Sequence, residues 1–265
     1  MSWIGGKKAL REEIVRRFPL CYDQYVEVFG GGGWVLFHKP PRNDFEVYND
    51  FNGLLTNLFR CVRDKPDLLI RSLRYVLNSR EDFERARRAL EQGRRSTDIQ
   101  RAAWFYQIIR QSYGSGLNSF AGQPHDIWSD FPLILQASRR LKDVVIDNRD
   151  FEEVIRKLDS PATLFYCDPP YHTTEKYYKN IGEEGFSEAD HIRLRDTLLE
   201  ISGKFILSYN DDEFIRLLYD HPKLMLQSLV RPNPLKNRYE KGAQFKELLI
   251  ANYDMNETAQ LTLFQ

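Results

Sequence analysis

Asp168 stands after the apolar run Thr163-Leu164-Phe165-Tyr166-Cys167 and before Pro169, Pro170 and Tyr171, a grouping suited to gripping an exocyclic amino group on a flat heteroaromatic ring. A strand ending at Cys167 would aim the carboxylate out of the carboxyl edge of a sheet, where open α/β sheets bind ligands. Pro169 and Pro170 fix φ and remove two N–H donors, so carbonyl oxygens are left facing the site. The amino group then meets two acceptors, a carboxylate and a carbonyl. Tyr171 offers a π face to an extruded base, a contact worth roughly 1–3 kcal/mol. Taken without its surroundings, the same D-P-P-Y run is equally a strand end with a proline turn.

The elements that must position these residues are readable upstream. Tyr25-Val26-Glu27-Val28-Phe29 reads as a short buried strand, Gly30 to Gly33 as a turn, and Trp34-Val35-Leu36 as the start of an amphipathic helix. Glycines there let a ligand lie against the main chain. The turn lacks the Gly-Lys-Ser/Thr ending of a phosphate loop and fits the G-x-G-x-x-G dinucleotide fingerprint poorly. Glu46-Val47-Tyr48-Asn49 predicts the next strand, with Asp50 at its tip, a position where an acid suits ribose hydroxyls.

Together with the N-terminal Trp3-Ile4-Gly5-Gly6-Lys7, the order of these pieces resembles the Dam-type family of DNA adenine-N6 methyltransferases. The resemblance implies S-adenosylmethionine as cofactor, contacted by Trp3, Lys7, Phe29, Gly30, Gly32, Asp50 and Asp168. It makes Asp168, Pro169, Pro170 and Tyr171 the catalytic motif. Asp150 and Phe151, after the apolar Val144-Val145-Ile146, resemble the segment that contacts the cofactor's adenine. Residues 204–211 resemble the strand after the catalytic one, and residues 247–253 the last strand. The implied fold is α/β, a Rossmann-like class I methyltransferase core. Its sheet is mostly parallel with a C-terminal antiparallel hairpin strand, and a helical module is inserted.

The implied chemistry is direct displacement onto the N6 of an adenine flipped out of the duplex, which costs a few kcal/mol of stacking and pairing. Asp168 and the Pro169 carbonyl would accept the two N6 hydrogens while Tyr171 stacks on the base. No covalent intermediate is needed, and Cys167 is expected to point into the core. Cytosine N4 or an RNA amino group would use the same chemistry, and a DNA-binding regulator could keep the fold without activity. The motif order favours adenine in DNA, and the intact Asp168 and Tyr171 favour an enzyme.

Residues 59–138 separate the Asp50 strand from the next one by far more than a single crossover helix. Apolar positions such as Leu68, Leu69, Leu73 and Val76, then Ala102, Phe105, Ile108 and Ile109, recur at helical spacing there. The expected organisation is a catalytic core of residues 1–58 and 139–265, a helical target-recognition insert of residues 59–138 and a flexible tail of residues 254–265. Within the insert lies a polar, glycine-rich loop, residues 111–124, whose Asn118 is a candidate for base or backbone contact. The loop departs from the R-x-N-x-x-G-x-F-N type of the family, so the resemblance does not carry GATC recognition over to this chain.

A formal net charge of zero hides a division that bears on DNA binding. Residues 60–110 hold thirteen Arg/Lys against seven Asp/Glu, whereas residues 143–213 hold eight against seventeen. Phosphate contacts supply most sequence-independent DNA affinity, and arginine can grip phosphate in two-pronged fashion. Acids interleaved at helical spacing, such as Glu81 and Glu84 with Arg85 and Arg88, equally fit a solvated helical face. A second basic loop, residues 231–242, offers Lys236 and Arg238 to phosphate.

No apolar run approaches the ~20 residues of a membrane span, and no signal peptide is read at the start, so a cytoplasmic protein is expected. Cys21, Cys61 and Cys167 give no disulfide framework, and the five scattered histidines give no metal spacing, so no metal is expected. His172 reads as a polar loop residue more readily than as a substrate contact. Finally, Gln260-Leu261-Thr262-Leu263-Phe264 resembles the Q-L-S/D-L-F motif that docks bacterial replication and repair proteins on the sliding clamp. It marks Gln260, Leu261, Leu263 and Phe264 as candidate clamp contacts, with a tail folded onto its own sheet as the alternative.

Overall fold

Alternate residues of the central strands face opposite sides of one sheet, and both sides are buried. Tyr25, Leu164, Tyr166 and Ile206 enter one apolar cluster, and Val26, Val28, Phe165, Cys167 and Phe205 enter the other. This two-sided burial is what a mostly parallel sheet covered by helices requires. The computed structural model describes residues 7–112, 117–122, 125–172, 185–231 and 245–256, without the side chains of Arg231 and Phe245. Trp3, Lys236, Arg238, Gln260, Leu261, Leu263 and Phe264 therefore lie outside the described residues.

The seven described strands are β1 (Gln24–Glu27), β2 (Phe45–Asn49), β3 (Val145–Asp147), β4 (Thr163–Cys167), β5 (Lys204–Asn210), β6 (Met225–Arg231) and β7 (Phe245–Ala251). They run in the order β3-β2-β1-β4-β5-β7-β6. The first five pair in parallel, and β7 is antiparallel to both β5 and β6. The order reverses between β1 and β4, where Val26 pairs with Phe165. A reversal of this kind opens a crevice at the carboxyl ends of the two strands. The glycine turn leaves one of them and Asp168 the other.

The helix that follows the glycine turn, α2 (Trp34–His38), is only five residues long. Pro40 and Pro41 explain its length, because a proline bars the residue before it from the helical region, and Lys39 is extended at ψ 128°. A buried ionic cluster anchors the helix from below. The Lys39 ammonium meets Asp44 and Glu46, each at 2.8 Å, while Arg140 grips both oxygens of Glu46 and donates to the Leu36 carbonyl at 2.9 Å.

Between β2 and β3 come α3 (Gly53–Asp64), α4 (Pro66–Leu73), α5 (Arg80–Glu91), α6 (Asp98–Gln111) and α7 (Phe131–Leu141). Their starts are set locally. The Asn52 side chain caps α3, Pro66 opens α4, Ser79 caps α5, and Thr97 with Gln100 forms a reciprocal capping box on α6. Residue 59, the expected boundary of the insert, falls inside α3, and its ring stacks on Tyr48 of β2 at 4.2 Å between centroids. Leu58, Leu73, Phe83, Phe105 and Ile109 share one cluster with that face of the sheet. The opposite face is covered by α8 (Phe151–Leu158), α9 (Glu188–Glu200) and α10 (Glu213–Leu218).

Part of the positive charge between β2 and β3 is paired along the helices themselves. Arg85 pairs with Glu81 and Asp82, and Arg87 with Glu84 and Glu91. Arg85, exposed and paired on its own helix, fits the solvated-face reading, whereas Arg87 is half-buried. Among the described residues no helix is long and apolar enough to cross a membrane, and no cluster of His, Cys, Asp and Glu has metal-binding geometry.

Candidate active site

Asn49 holds the carboxyl ends of β1, β2 and β3 in register. Its buried amide donates to the Val28 carbonyl at 2.9 Å and the Arg149 carbonyl at 3.1 Å, and its oxygen accepts from Arg149 N–H at 2.9 Å. On that platform the glycine turn is fixed at three points. Gly30 N–H donates to the Asn49 carbonyl and Gly31 N–H to Asp50 Oδ2, both at 2.8 Å, and Tyr48 Oη donates to the Gly31 carbonyl at 2.7 Å. Gly31 and Gly33 have φ of 49° and 66°, left-handed values that favour glycine. Gly30 is required for another reason. A Cβ built there would lie 2.1 Å from Tyr48 Cε2.

Asp50, expected at the strand tip, is there, and the structure adds a bracing duty. Its two oxygens accept from Gly31 N–H and Asn52 N–H. Burial nevertheless pushes its carboxyl up to about 6, against the pull of those amides. Glu27, absent from the sequence-predicted set, lies beneath the same turn, accepting from Tyr25 Oη at 2.9 Å and Leu36 N–H at 2.8 Å. Burial pushes it up to about 8.

Asp168 sits at the end of β4, its side chain 18% exposed, with Oδ1 accepting from Lys7 Nζ at 2.5 Å and from Ser208 Oγ at 3.1 Å. Burial raises its pKa, and the Lys7 ammonium opposes that rise. Both of these hydrogen bonds fall on Oδ1. Lys7 also donates to Tyr171 Oη, and its ammonium lies 4.5 Å from the Tyr171 ring centroid. The tyrosine hydroxyl in turn donates to the buried Glu247 at 2.6 Å. Lys7 thus forms one hydrogen-bonded unit with Asp168 and Tyr171, more than 160 residues later in sequence. Cys167 is buried, as expected, and burial pushes its thiol well above its ordinary pKa.

The third wall is built by α8 and α9. Asp150 caps α8 through Glu152 N–H at 2.9 Å and takes both Arg193 amino groups, at 2.7 and 2.9 Å. Against the upward push of burial, those donors hold its carboxyl below the usual range. The Arg193 guanidinium also lies 4.0 Å from the Phe151 ring centroid. Phe29, Phe151 and Phe186 lie within 6 Å of one another, centroid to centroid. These walls enclose a cavity of about 270 Å³.

The cavity therefore brings together Lys7, Phe29, Gly30, Gly32, Asp50, Asp150, Phe151, Asp168 and Pro170 from the sequence-predicted set. Asn118 is not in it. That residue is exposed on the loop after α6, its carbonyl held by Arg87 Nη1 at 2.7 Å. Glu27, Phe186 and Arg193 line the cavity without having been expected. Glu27 had a readable signal, a lone acid in an otherwise apolar strand. Arg193 had none pointing to the cavity, because Asp150, which it grips with both amino groups, lies 43 residues earlier at the start of another helix.

A mostly parallel sheet with a reversed last strand, and a cavity joining a glycine turn to an Asp-Pro-Pro-Tyr segment, define a Rossmann-like methyltransferase. The family model for D12 class N6 adenine-specific DNA methyltransferases matches residues 3–233. The chain belongs to that family, and it is an enzyme that methylates adenine at specific sites in DNA. It is 28% identical over 273 residues to the Type II methyltransferase M1.LlaDCHI of Lactococcus lactis, covering 95% of this chain and 94% of that protein. Its identity to the DNA adenine methylase of Haemophilus influenzae is 26% over 275 residues, covering 94% and 91%. With the Type II methyltransferase M.MjaIII of Methanocaldococcus jannaschii it shares 25% over 289 residues, covering 96% and 98%.

Proposed function

We propose that S-adenosylmethionine is the methyl donor, bound in the cavity between the glycine turn and Asp168, and that Asp168 and Tyr171 hold the target adenine. The observation that carries this reading is the meeting of those two segments at one crevice. The lining fits a ligand that combines a purine with a net positive charge. Phe29, Phe151 and Phe186 supply flat apolar surface, Gly30 to Gly32 supply bare main chain, and Glu27, Asp50, Asp150, Asp168 and Asp190 outnumber Lys7, Arg149 and Arg193. S-adenosylmethionine supplies an activated methyl group on a sulfonium.

The chain's residues supply position and electrostatics. Asp168 and the Pro169 carbonyl accept the two N6 hydrogens, which orients the nitrogen lone pair. As N6 gains positive charge, the Asp168 carboxylate stabilises it in a site partly closed to water. The Tyr171 ring stacks on the flipped base, and its hydroxyl is tied to Glu247 and Lys7. Tyr171→Ala is expected to lower turnover roughly tenfold to a hundredfold, the worth of one stacked base. Tyr171→Phe keeps the ring and should lose much less, although it frees Lys7 and Glu247 from one partner. Methyl incorporation into an adenine-containing duplex reads both variants, with S-adenosylhomocysteine titration as the donor-site control. Equal losses in the two would mean that the base stacks elsewhere.

Residues 59–138, with exposed Asn118 beside the basic helices, are the proposed target-recognition insert, and Lys236 and Arg238 the proposed phosphate contacts. Action on cellular DNA supports a cytoplasmic location. The likeness of residues 260–264 to a clamp-binding motif supports tethering to a bacterial sliding clamp, which would raise the local concentration of enzyme on DNA. Deleting residues 260–265 should abolish clamp binding while leaving melting temperature and methylation of free oligonucleotides unchanged. A fall in melting temperature would assign the segment to packing.

A further inference from the structure

His172, the residue after the catalytic motif, is held on three sides by elements from elsewhere in the chain. Its Nδ1 lies 3.3 Å from Asp212 Oδ2, and its Nε2 lies 3.2 Å from Glu188 Oε1. Its ring stacks on Phe214 at 4.2 Å and 18°, and meets His191 edge-on at 5.8 Å. Asp212 caps α10 through Ile215 N–H, and Glu188 is the first residue of α9. The imidazole therefore joins the end of the catalytic segment to the starts of the two helices that follow it.

Those helix starts bear on both halves of the site. Phe186, two residues before Glu188, lines the cavity and packs on Phe29, Phe151 and His191. Asp190 and Arg193, one turn further on, line the same wall and bind each other at 3.1 Å. Asp212 follows β5, whose Ser208 donates to Asp168. A neutral imidazole can donate from only one nitrogen, but an imidazolium donates from both. Two carboxylates at opposite ring nitrogens thus select the charged form.

We propose that His172, as an imidazolium, is a positioning residue that pins the α9 wall of the donor cavity to the Asp168–Tyr171 segment. The inference rests on the assignment of this cavity to S-adenosylmethionine. The titratable groups facing His172 are Asp212, the cap of α10, and Glu188 and His191 on α9, with Asp190 acting on His191 behind it. Burial pulls the imidazole down, but Glu188 and Asp212 prevail and hold its pKa above the ordinary 6.5. His191 is pushed the other way, to about 4, by burial first and then by the His172 charge, so it stays neutral and adds no competing cation. A histidine raised in the folded state contributes fully below its ordinary pKa, and the contribution disappears as pH rises through the folded value. The pin loosens on the alkaline side.

Asp50 and Glu27, whose carboxyls ionise over about pH 6 to 8, make the cavity more negative as pH rises in wild type and variants alike. Comparing variants across one pH series separates the two effects. The experiment is titration of wild type, His172→Gln and His172→Ala with S-adenosylhomocysteine from pH 6 to 9, with turnover on duplex DNA measured alongside. His172→Gln should bind more weakly than wild type at pH 6, by a factor of up to roughly five, the scale of a partly exposed ion pair. The two curves should draw together toward the alkaline end of the series, as His172 loses its charge. His172→Ala, which also loses the Phe214 stacking, should be weaker at every pH. A wild-type to Gln ratio constant with pH, or equal to one throughout, overturns the pin. Absence of S-adenosylhomocysteine binding by wild type at any pH would instead overturn the donor assignment.

Discussion

Replacing Asp168 by asparagine should lower methyl transfer by roughly 10²- to 10³-fold, the range seen when a single electrostatic contact to a developing charge is removed in a closed site. Asparagine keeps the shape and one acceptor oxygen, but it cannot neutralise the positive charge that grows on N6. Asp168→Ala should lose at least as much activity and, in addition, stability. A carboxylate at the mouth of a site would ordinarily be expected to matter little for folding. The structure corrects that expectation, because Oδ1 is bonded to the buried Lys7 and to Ser208. Removing one member of a buried pair leaves the other charge uncompensated, a cost that reaches about 3–5 kcal/mol when both are fully enclosed. Partial exposure of Asp168 and the contact from Lys7 to Tyr171 reduce that cost here. Thermal melting should therefore rank wild type and Asp168→Asn close together and Asp168→Ala lower. A folded Asp168→Asn protein with wild-type methyl incorporation would exclude the carboxylate from the chemistry.

The contrast between Asp168 and its partners shows what a linear reading can and cannot reach. Strand β4 was legible because five consecutive apolar residues end abruptly at an acid and two prolines, and β1 because glycines follow it at once. The interruption between β2 and β3 was legible because apolar residues recur at helical spacing for far too long to be one crossover. The precise seat of the insert was not. Phe59 looks like one more helical residue until its ring is found stacked on Tyr48 of the sheet, so the expected boundary lies inside a helix packed on the core. Long-range polar partnerships were equally hidden. Nothing adjacent to Arg193 announces Asp150, 43 residues earlier, and nothing beside Tyr171 announces Glu247. Local motifs encode strand ends and turns through backbone sterics, whereas the partners that set charge state are selected by tertiary packing.

Gly30→Ala tests the other half of the cavity and should be severely damaging for the addition of one methyl group. The added Cβ would lie 2.1, 2.5 and 2.6 Å from three carbons of the Tyr48 ring, far inside any tolerable contact. The ring has no easy retreat, since its hydroxyl is bonded to the Gly31 carbonyl and its face is stacked on Phe59. Relief must come from the turn, and Gly31 N–H would then be drawn from Asp50. Overpacking of this kind typically costs about 1–3 kcal/mol, and here the displaced main chain is the floor of the proposed donor site. A lower melting temperature should thus accompany a loss of S-adenosylhomocysteine affinity larger than that of any substitution at the cavity rim. Gly53→Ala is the matched control, because its Cβ would meet only Asn148 Oδ1, at an ordinary 3.5 Å, at the start of a helix. Shrinking the obstructing ring with Tyr48→Leu in the Gly30→Ala background should restore part of the binding although Tyr48→Leu alone destabilises, a coupling expected of residues in direct contact. Wild-type melting and donor affinity in Gly30→Ala, or losses that simply add in the double variant, would show that the turn is free to move and that Tyr48 does not set its position.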